Sequence, residues 1–354
     1  MSRHSAAPFN KTLSRWMTGG GPCEDVVVST RVRLARNLAQ YPFPPSARRE
    51  DALAVRGAVQ RSLDDLPDGG DYEFYPLDRV EEIDRWVLVE KHLASPQLVG
   101  RADCTAIILD AEESISVMVN EEDHLRIQCL VPGFDLESAW SLADTVDDSL
   151  GAGLEYAFDE DFGYLTACPS NVGTGFRGSV MAHLPGLVHT GQIEPLMSGL
   201  NKAGALVRGV FGEGSKAEGN LFQVSNRISL GSSEDEMAAN LAGVARELMS
   251  RERSAREALL NGNRYELEDR VYRAYGLLTN ARKMSSEEAL DLLSMLRLGS
   301  DINILPGGLG DAFPELLVRI RRASLQRVVG ERLDTNQRDI RRATLVRNRL
   351  LNDG

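Results

Sequence analysis

The sequence predicts an α+β fold, a mostly antiparallel sheet flanked by helices and followed by a small all-α domain. Three observations carry this. Alternating apolar runs at 115–119 and 127–131 flank a short charged turn, as in a hairpin. A second pair, 206–211 and 220–224, flanks a glycine-rich turn in the same way. After residue 233 the periodic stretches all read as helices.

In chain order, 13–17 is expected as a short helix, broken by Gly19-Gly20-Gly21-Pro22. The β-branched run that follows ends in Ser29-Thr30-Arg31-Val32-Arg33, and strand alternation points Arg31 and Arg33 the same way. Two guanidinium forks on one face make a polyanion clamp; equally, such charge keeps a strand edge soluble. Residues 52–66 have helical periodicity and 68–71 read as a loop. The stretch 85–92 reads as a buried strand ending at a lone His92, a residue more often structural than functional in that setting. Asp135 is placed to cap a helix through about Leu150.

Tyr164 to Cys168 is strand-like, and the segment from Pro169 to Gly178 precedes a helix predicted over 179–189. Gly173-x-Gly175-x-x-Gly178 matches a dinucleotide-binding fingerprint. That reading is set aside, because the next strands pair as a hairpin instead of continuing a βαβ series. The turn 212–219 lacks the G-K-[ST] ending of a P-loop. It is either an ordinary hairpin tip or a loop that delivers Glu213 to a ligand. A long helix is predicted over 233–260, with the domain boundary in its second half. This gives a catalytic domain at 1–254 and a helical domain at 255–354, with helices at 265–275, 285–298 and 313–329.

With 354 residues, 42% apolar and 26% charged, the chain has the composition of an ordinary globular protein of two domains. Its formal charge of −12 argues against direct nucleic-acid binding, although local basic sites remain open. No apolar run is long enough for a bilayer, and the N-terminal segment lacks the apolar stretch of a secretory signal, so no membrane partner and a cytoplasmic location are expected. Four scattered cysteines give neither a disulfide framework nor a zinc site, and no metal-binding residues are assigned.

The chemistry concentrates at Asn120-Glu121-Glu122-Asp123-His124-Leu125-Arg126. Carboxylates this close repel and favour a bound cation or a shared proton, whereas a solvated hairpin tip is the plainer reading. Alternation is expected to place Glu122, His124 and Arg126 on one face. Arg31, Arg33, Arg126, Arg177 and Arg208 all sit at strand ends or glycine-rich turns, where they can converge on a triphosphate. Glu122 and Glu213 suit an acceptor that is itself a guanidinium. They bind its fork, orient it for in-line attack and accept its proton, with the Cys168 thiolate as a further negative group. Between Arg319 and Arg349 ten arginines face three acids, a formal +7, which is either an anion or partner surface or a solvated helix face.

Four motifs in order, Ser29 to Arg33, Asn120 to Arg126, Cys168 to Arg177 and Arg208-Gly209-Val210-Phe211-Gly212-Glu213, resemble those of the phosphagen (guanidino) kinases. The resemblance implies ATP with Mg2+ as donor. It places Ser29, Thr30, Arg31, Val32, Arg33, His92, Arg126, Arg177, Gly178, Ser179, Val180, Met181 and 208–213 at the nucleotide, and Glu122, Glu213 and Cys168 at the acceptor. The chain departs from the metabolic members: their Arg-x-Arg strand follows a helical domain that closes over a free guanidine, whereas here that strand arrives by residue 31. An acceptor pocket of this kind suits an arginine still attached to a polypeptide. Arg338-Asp339-Ile340-Arg341-Arg342-Ala343 resembles the phosphoarginine-binding motif of the bacterial protein-arginine kinases of the McsB type. That likeness implies phosphorylation of protein arginines, marking for a Clp unfoldase and protease, and regulation of a stress response. A heat-shock repressor as substrate, a zinc-binding activator protein, a homodimer joined through the helical domain and an allosteric phosphoarginine pocket are implied with it. A kinase for a free guanidino compound such as arginine is the alternative.

Overall fold

The computed structural model describes residues 13–66, 71–202, 204–210, 217–227, 229–306, 309 and 312–352. Its centre is an eight-stranded, wholly antiparallel sheet. The strands are β1 Val27–Arg36, β2 Glu73–Pro76, β3 Ala106–Leu109, β4 Ile115–Val119, β5 Leu125–Pro132, β8 Phe176–His183, β9 Ala205–Gly209 and β10 Leu221–Asn226, in the order β2-β3-β4-β5-β1-β8-β10-β9. A separate pair, β6 Phe158–Asp159 and β7 Gly163–Tyr164, forms a small ribbon.

Helices cover the sheet. α1 Arg49–Arg61, α4 Leu136–Gly153 and the first half of α7 Glu234–Gly262 lie on one face, closing an apolar core of alternate strand residues such as Val32, Leu34, Ile127, Val180 and Val224. The predicted Asp135 cap is present, its side chain accepting from the Ser138 amide; Ser285 likewise accepts the Glu288 amide, and Ser233 and Glu236 form a reciprocal capping box on α7. On the other face sit α2 Glu82–Glu90, α3 Pro96–Gly100 and the C-terminal helices α8 Arg264–Asn280, α9 Ser286–Asp301, α10 Ala312–Arg319, α11 Arg322–Val329 and α12 Thr335–Asn352. Short helices α5 Pro185–His189 and α6 Ile193–Lys202 connect β8 to β9.

Four expectations are corrected. Residues 85–90 are the end of helix α2 and 91–92 the turn after it, because a short apolar run does not discriminate strand from helix, while Glu82 and Asp84 in the first turn favour the helix start. The predicted helix over 179–189 is mostly strand β8. This segment is hydrogen-bonded to both β1 and β10, and that pairing outweighs local preference; Pro185 then opens α5. Of 164–168 only Tyr164 is in a strand, and the predicted helix 313–329 breaks at Ile320-Arg321.

No linker separates the C-terminal helices from the rest. α7 runs unbroken through residue 254, and beneath it Glu252, wholly buried, accepts the Gly186 and Leu187 amides and pairs with Arg256 at 2.6 Å. Arg256 then reaches Asp301 on α9, at 3.1 Å. Trp16, Leu77 and Leu88 share one apolar cluster with Leu278, Leu290 and Phe313. Among the described residues no helix is long and apolar enough to cross a membrane.

At the end of β1, Arg36 is buried and fully used. Its Nε donates to Asp147 Oδ2 at 3.0 Å, its Nη1 to the carbonyls of Ala35 and Thr174, and its plane lies 3.5 Å from the Tyr164 ring centroid. Removing one partner of such a pair strands the other charge. Asp147→Ala is therefore expected to lower the unfolding free energy by about 3–5 kcal/mol, measured by urea denaturation.

Candidate active site

Residues directly opposite one another in a sheet share a face, and the register applies this across five strands. Arg33 lies opposite both Gln128 and Arg177, Ala35 opposite Arg126, and Gln223 opposite both Met181 and Arg208. Hence Arg31, Arg33, Arg126, Arg177 and Arg208 leave the same face. Thr30, Val32, Gly178 and Val180 fall on the other parity. Val32 and Val180 are in the apolar core, Thr30 Oγ1 donates to the Gly133 carbonyl, and a Cβ on Gly178 would come 2.8 Å from Leu241. Their side chains cannot reach the cleft, while those of Ser29, Ser179 and Met181 can.

Gathering five guanidinium groups has an electrostatic cost. Burial first, and then the positive charges of Arg208, Arg126 and Arg177, push Arg31 down to about 9. Arg33 is held well below its ordinary value by burial and then by Arg31 and the other three. Arg177 is lowered by burial and by Arg208 and Arg126, with Cys168 acting in the opposite sense. The Nε atoms of Arg31, Arg33 and Arg177 are shielded from solvent without a hydrogen-bond partner among the described residues. A multivalent anion relieves both conditions at once.

The acidic turn is sorted residue by residue. Arg126 Nη2 lies 2.7 Å from Glu121 and 3.2 Å from Glu122. Glu121 is buried and also takes the Ser95 hydroxyl at 2.6 Å, whereas the Glu122 carboxylate keeps 36% exposure and faces the cleft. Asp123 is buried and accepts from Asn37 Nδ2 at 2.7 Å and the Ala167 amide at 2.6 Å, which fixes the approach to Cys168. His124 accepts the Leu38 amide at Nδ1, so Nε2 carries the proton and donates to the Pro42 carbonyl at 3.1 Å. Burial pushes this histidine down to about 4. The expected common face of Glu122, His124 and Arg126 is therefore absent. β5 begins only at Leu125, and Asn120 turns the chain with φ +62°. The crowding of carboxylates is answered by Arg126 and by amides; among the described residues no group of three or more His, Cys, Asp or Glu could hold a metal.

Cys168 is half-buried, with Sγ 3.0 Å from Ser170 Oγ. The segment after it is pinned by Ser229, whose hydroxyl donates to the carbonyls of Ser170 and Val172. Gly173, at φ +108°, passes so near that a Cβ would lie 2.4 Å from the Ser229 carbonyl oxygen. Gly173 serves close chain approach, and strand β8 follows the segment where a dinucleotide-binding turn would open a helix.

His92 follows α2 at φ +62°, its ring 5.5 Å from that of Trp16. Burial, then the charges of Arg31 and Arg321, push it down to about 3. It joins Ser29, Arg31, Ser179, Met181 and Val210 around a cavity completed by Leu130 and Gln223. Leu130 and Gln223 were not singled out from the sequence; their signal is the register, which aligns them with Arg31 and Met181. Phe211, Gly212 and Glu213 lie outside the described residues, and Gly209 ends β9.

In the C-terminal motif, Arg342 is buried. It donates to the carbonyls of Ile320 and Met284, both at 2.8 Å, and to Asp339 at 2.7 Å. Arg338 donates to the Leu333 carbonyl and the Thr335 hydroxyl, Arg341 pairs with Glu331 at 3.2 Å, Ala343 is buried and Ile340 is 43% exposed. Of the ten arginines counted there, Arg319, Arg321, Arg327, Arg341, Arg342 and Arg349 are ion-paired, two of them to Asp84 and Glu218 of the catalytic region.

Residues 54–255 match the family model of the ATP:guanido phosphotransferase C-terminal catalytic domain, and 264–353 that of the protein-arginine kinase McsB C-terminal domain. The chain is 48% identical over 340 residues to the protein-arginine kinase of Moorella thermoacetica, covering 95% of this chain and 97% of that protein. The protein-arginine kinase of Desulforamulus reducens is 49% identical over 342 residues, 95% of each. The chain belongs to the protein-arginine kinase family. Within the wider fold, this family member resembles the crystal structure of lombricine kinase, with TM-score 0.58 and 26% identity over 69% of this chain and 70% of that one. The duplicated taurocyamine kinase from Schistosoma mansoni, with bound transition-state analogue components, gives TM-score 0.57 and 27% identity over 70% of this chain and 35% of its own.

A histidine whose folded pKa lies below its unfolded value binds its proton more readily when unfolded, so its stabilisation is lost as pH falls. From about pH 6.5 to about 4, burial of neutral His124 is expected to cost the folded state about 3 kcal/mol. Denaturant titrations across that window should show a shallower decline in His124→Gln than in the parent.

Proposed function

We propose that the protein transfers the γ-phosphoryl group of ATP to arginine side chains of other proteins. The observation that carries this is the single sheet face bearing Arg31, Arg33, Arg126, Arg177 and Arg208, with the Glu122 carboxylate beside it. The arginines neutralise the triphosphate and the charge that develops in transfer. Glu122, with Glu213, binds the acceptor guanidinium, aligns one nitrogen with the γ-phosphorus and takes its proton as the N–P bond forms and the bond to ADP breaks. Mg2+ would arrive with the triphosphate, since the described residues offer no cage of their own. His92 and Val210 would contact the base. Cys168 would add a negative group at the acceptor.

The finer assignments rest on likeness to the family. They are marking of substrates for a Clp protease in a stress response, a heat-shock repressor among the substrates, assistance from a zinc-binding activator, a cytoplasmic homodimer, and phosphoarginine binding by residues 338–343. For the last, Ile340 and the exposed side of Arg341 are the accessible members, whereas Arg342 is committed to backbone carbonyls.

Incubation with ATP and an unfolded protein is expected to give acid-labile phosphate on arginine, mapped by mass spectrometry at neutral pH. Phosphate on free arginine alone would overturn the protein-directed reading. Glu122→Ala should reduce kcat on the order of 10²- to 10⁴-fold, and Arg177→Ala by about 10²- to 10³-fold, both read by ADP release.

A further inference from the structure

The C-terminal helices lie on the face that carries the arginines, and one corner of them holds both walls of the cavity beside Arg31. His92 forms one wall and Val210 the other. Two residues before His92, the Glu90 carboxylate accepts the amides of Ala323 at 2.8 Å and Ser324 at 2.7 Å and the Ser324 hydroxyl at 2.7 Å, which caps the start of α11. On the far side, the turn Glu218–Asn220 enters β10, where the Leu221 carbonyl takes the Val210 amide at 3.0 Å. Glu218 in that turn pairs with Arg321 Nη1 at 3.4 Å. The same turn is anchored on α9, from the Gly219 amide to Asp291 at 3.1 Å and from Asn220 Nδ2 to Ser294 at 2.7 Å. Arg321 is the residue immediately before α11, and its charge acts on His92 and on Glu90.

One guanidinium therefore stands where the two walls are tied to the C-terminal helices. We propose that Arg321 is a positioning residue of the nucleotide site. By holding Glu218 on one side, and by fixing the α11 terminus that grips Glu90 on the other, it sets the separation of Val210 and His92. It touches neither reacting atom, so its effect falls on ATP binding and not on the chemical step. This rests on the reading of the cleft as a nucleotide site.

The test is ATP affinity by titration calorimetry together with steady-state kinetics on the full-length protein. Arg321→Ala is expected to weaken ATP binding, and to raise the KM for ATP, by about tenfold. kcat and the KM for the protein substrate should stay within about twofold. Arg321→Lys should recover part of the affinity, Glu218→Gln should reproduce the loss, and the double variant should bind no more weakly than either single one. Parental ATP affinity in Arg321→Ala would overturn the proposal, as would additive losses in the double variant or equal losses for both substrates accompanied by a lower Tm. Should Arg321→Ala fail to fold, parental affinity in both Arg321→Lys and Glu218→Gln overturns it equally. A parent that binds ATP yet leaves arginine unmodified sinks the acceptor reading, with Arg321 still judged on binding; a parent that does not bind ATP sinks both.

Discussion

The constraint on which the rest of the structure depends is the two-residue period of an antiparallel sheet. Every strand from β5 to β9 is locked in register by its neighbours, so the parity that buries Val32, Leu34, Ile127, Val180 and Val224 necessarily turns Arg31, Arg33, Arg126, Arg177 and Arg208 to the opposite side. Like charges would not gather there of their own accord. Burial of the other face, at about 25 cal/mol per Å² of apolar surface, offsets the repulsion. A slip of one residue would put the guanidinium groups into the core, which fixes the register firmly. The binding face is in this sense the reverse side of the hydrophobic core.

Much of this was legible in the sequence because it is local. The alternation of Arg31 and Arg33, the Asp135 cap and the Ser285 cap each depend on a handful of consecutive residues. What escaped depends on distant partners. Nothing near Ser179 announces that β1 and β10 flank it on either side, and the short apolar run at Trp86 suits a strand until its packing against α11 is known. His124 read as a member of the charged cluster. Only the folded positions of Leu38 and Pro42 show that both its nitrogens are committed to the backbone. The functional assignment came from motif likeness, whereas the convergence of the five arginines on one face follows from strand pairing.

Charge counting says least in the C-terminal helices. Their arginine excess fits an anion or partner surface and a solvated helix face equally well, and it does not show that Arg327 and Arg321 are drawn to Asp84 and Glu218 across the interface or that Glu315 takes both Arg319 and Arg349. Arg342 serves as an internal brace between Met284 and Ile320. Formal surplus describes a segment in isolation, while its electrostatic character is set by the acids it meets on folding.

Glu252 gives the molecule's history a boundary condition. Its carboxylate is sealed under the Gly186 and Leu187 amides, and its countercharge, Arg256, leans in turn on Asp301. A descendant that shed the trailing helices would leave Arg256 with Glu252 alone, without its second carboxylate and with the cover over the pair opened to water. Truncation after α7 therefore carries an electrostatic penalty inside the part that remains.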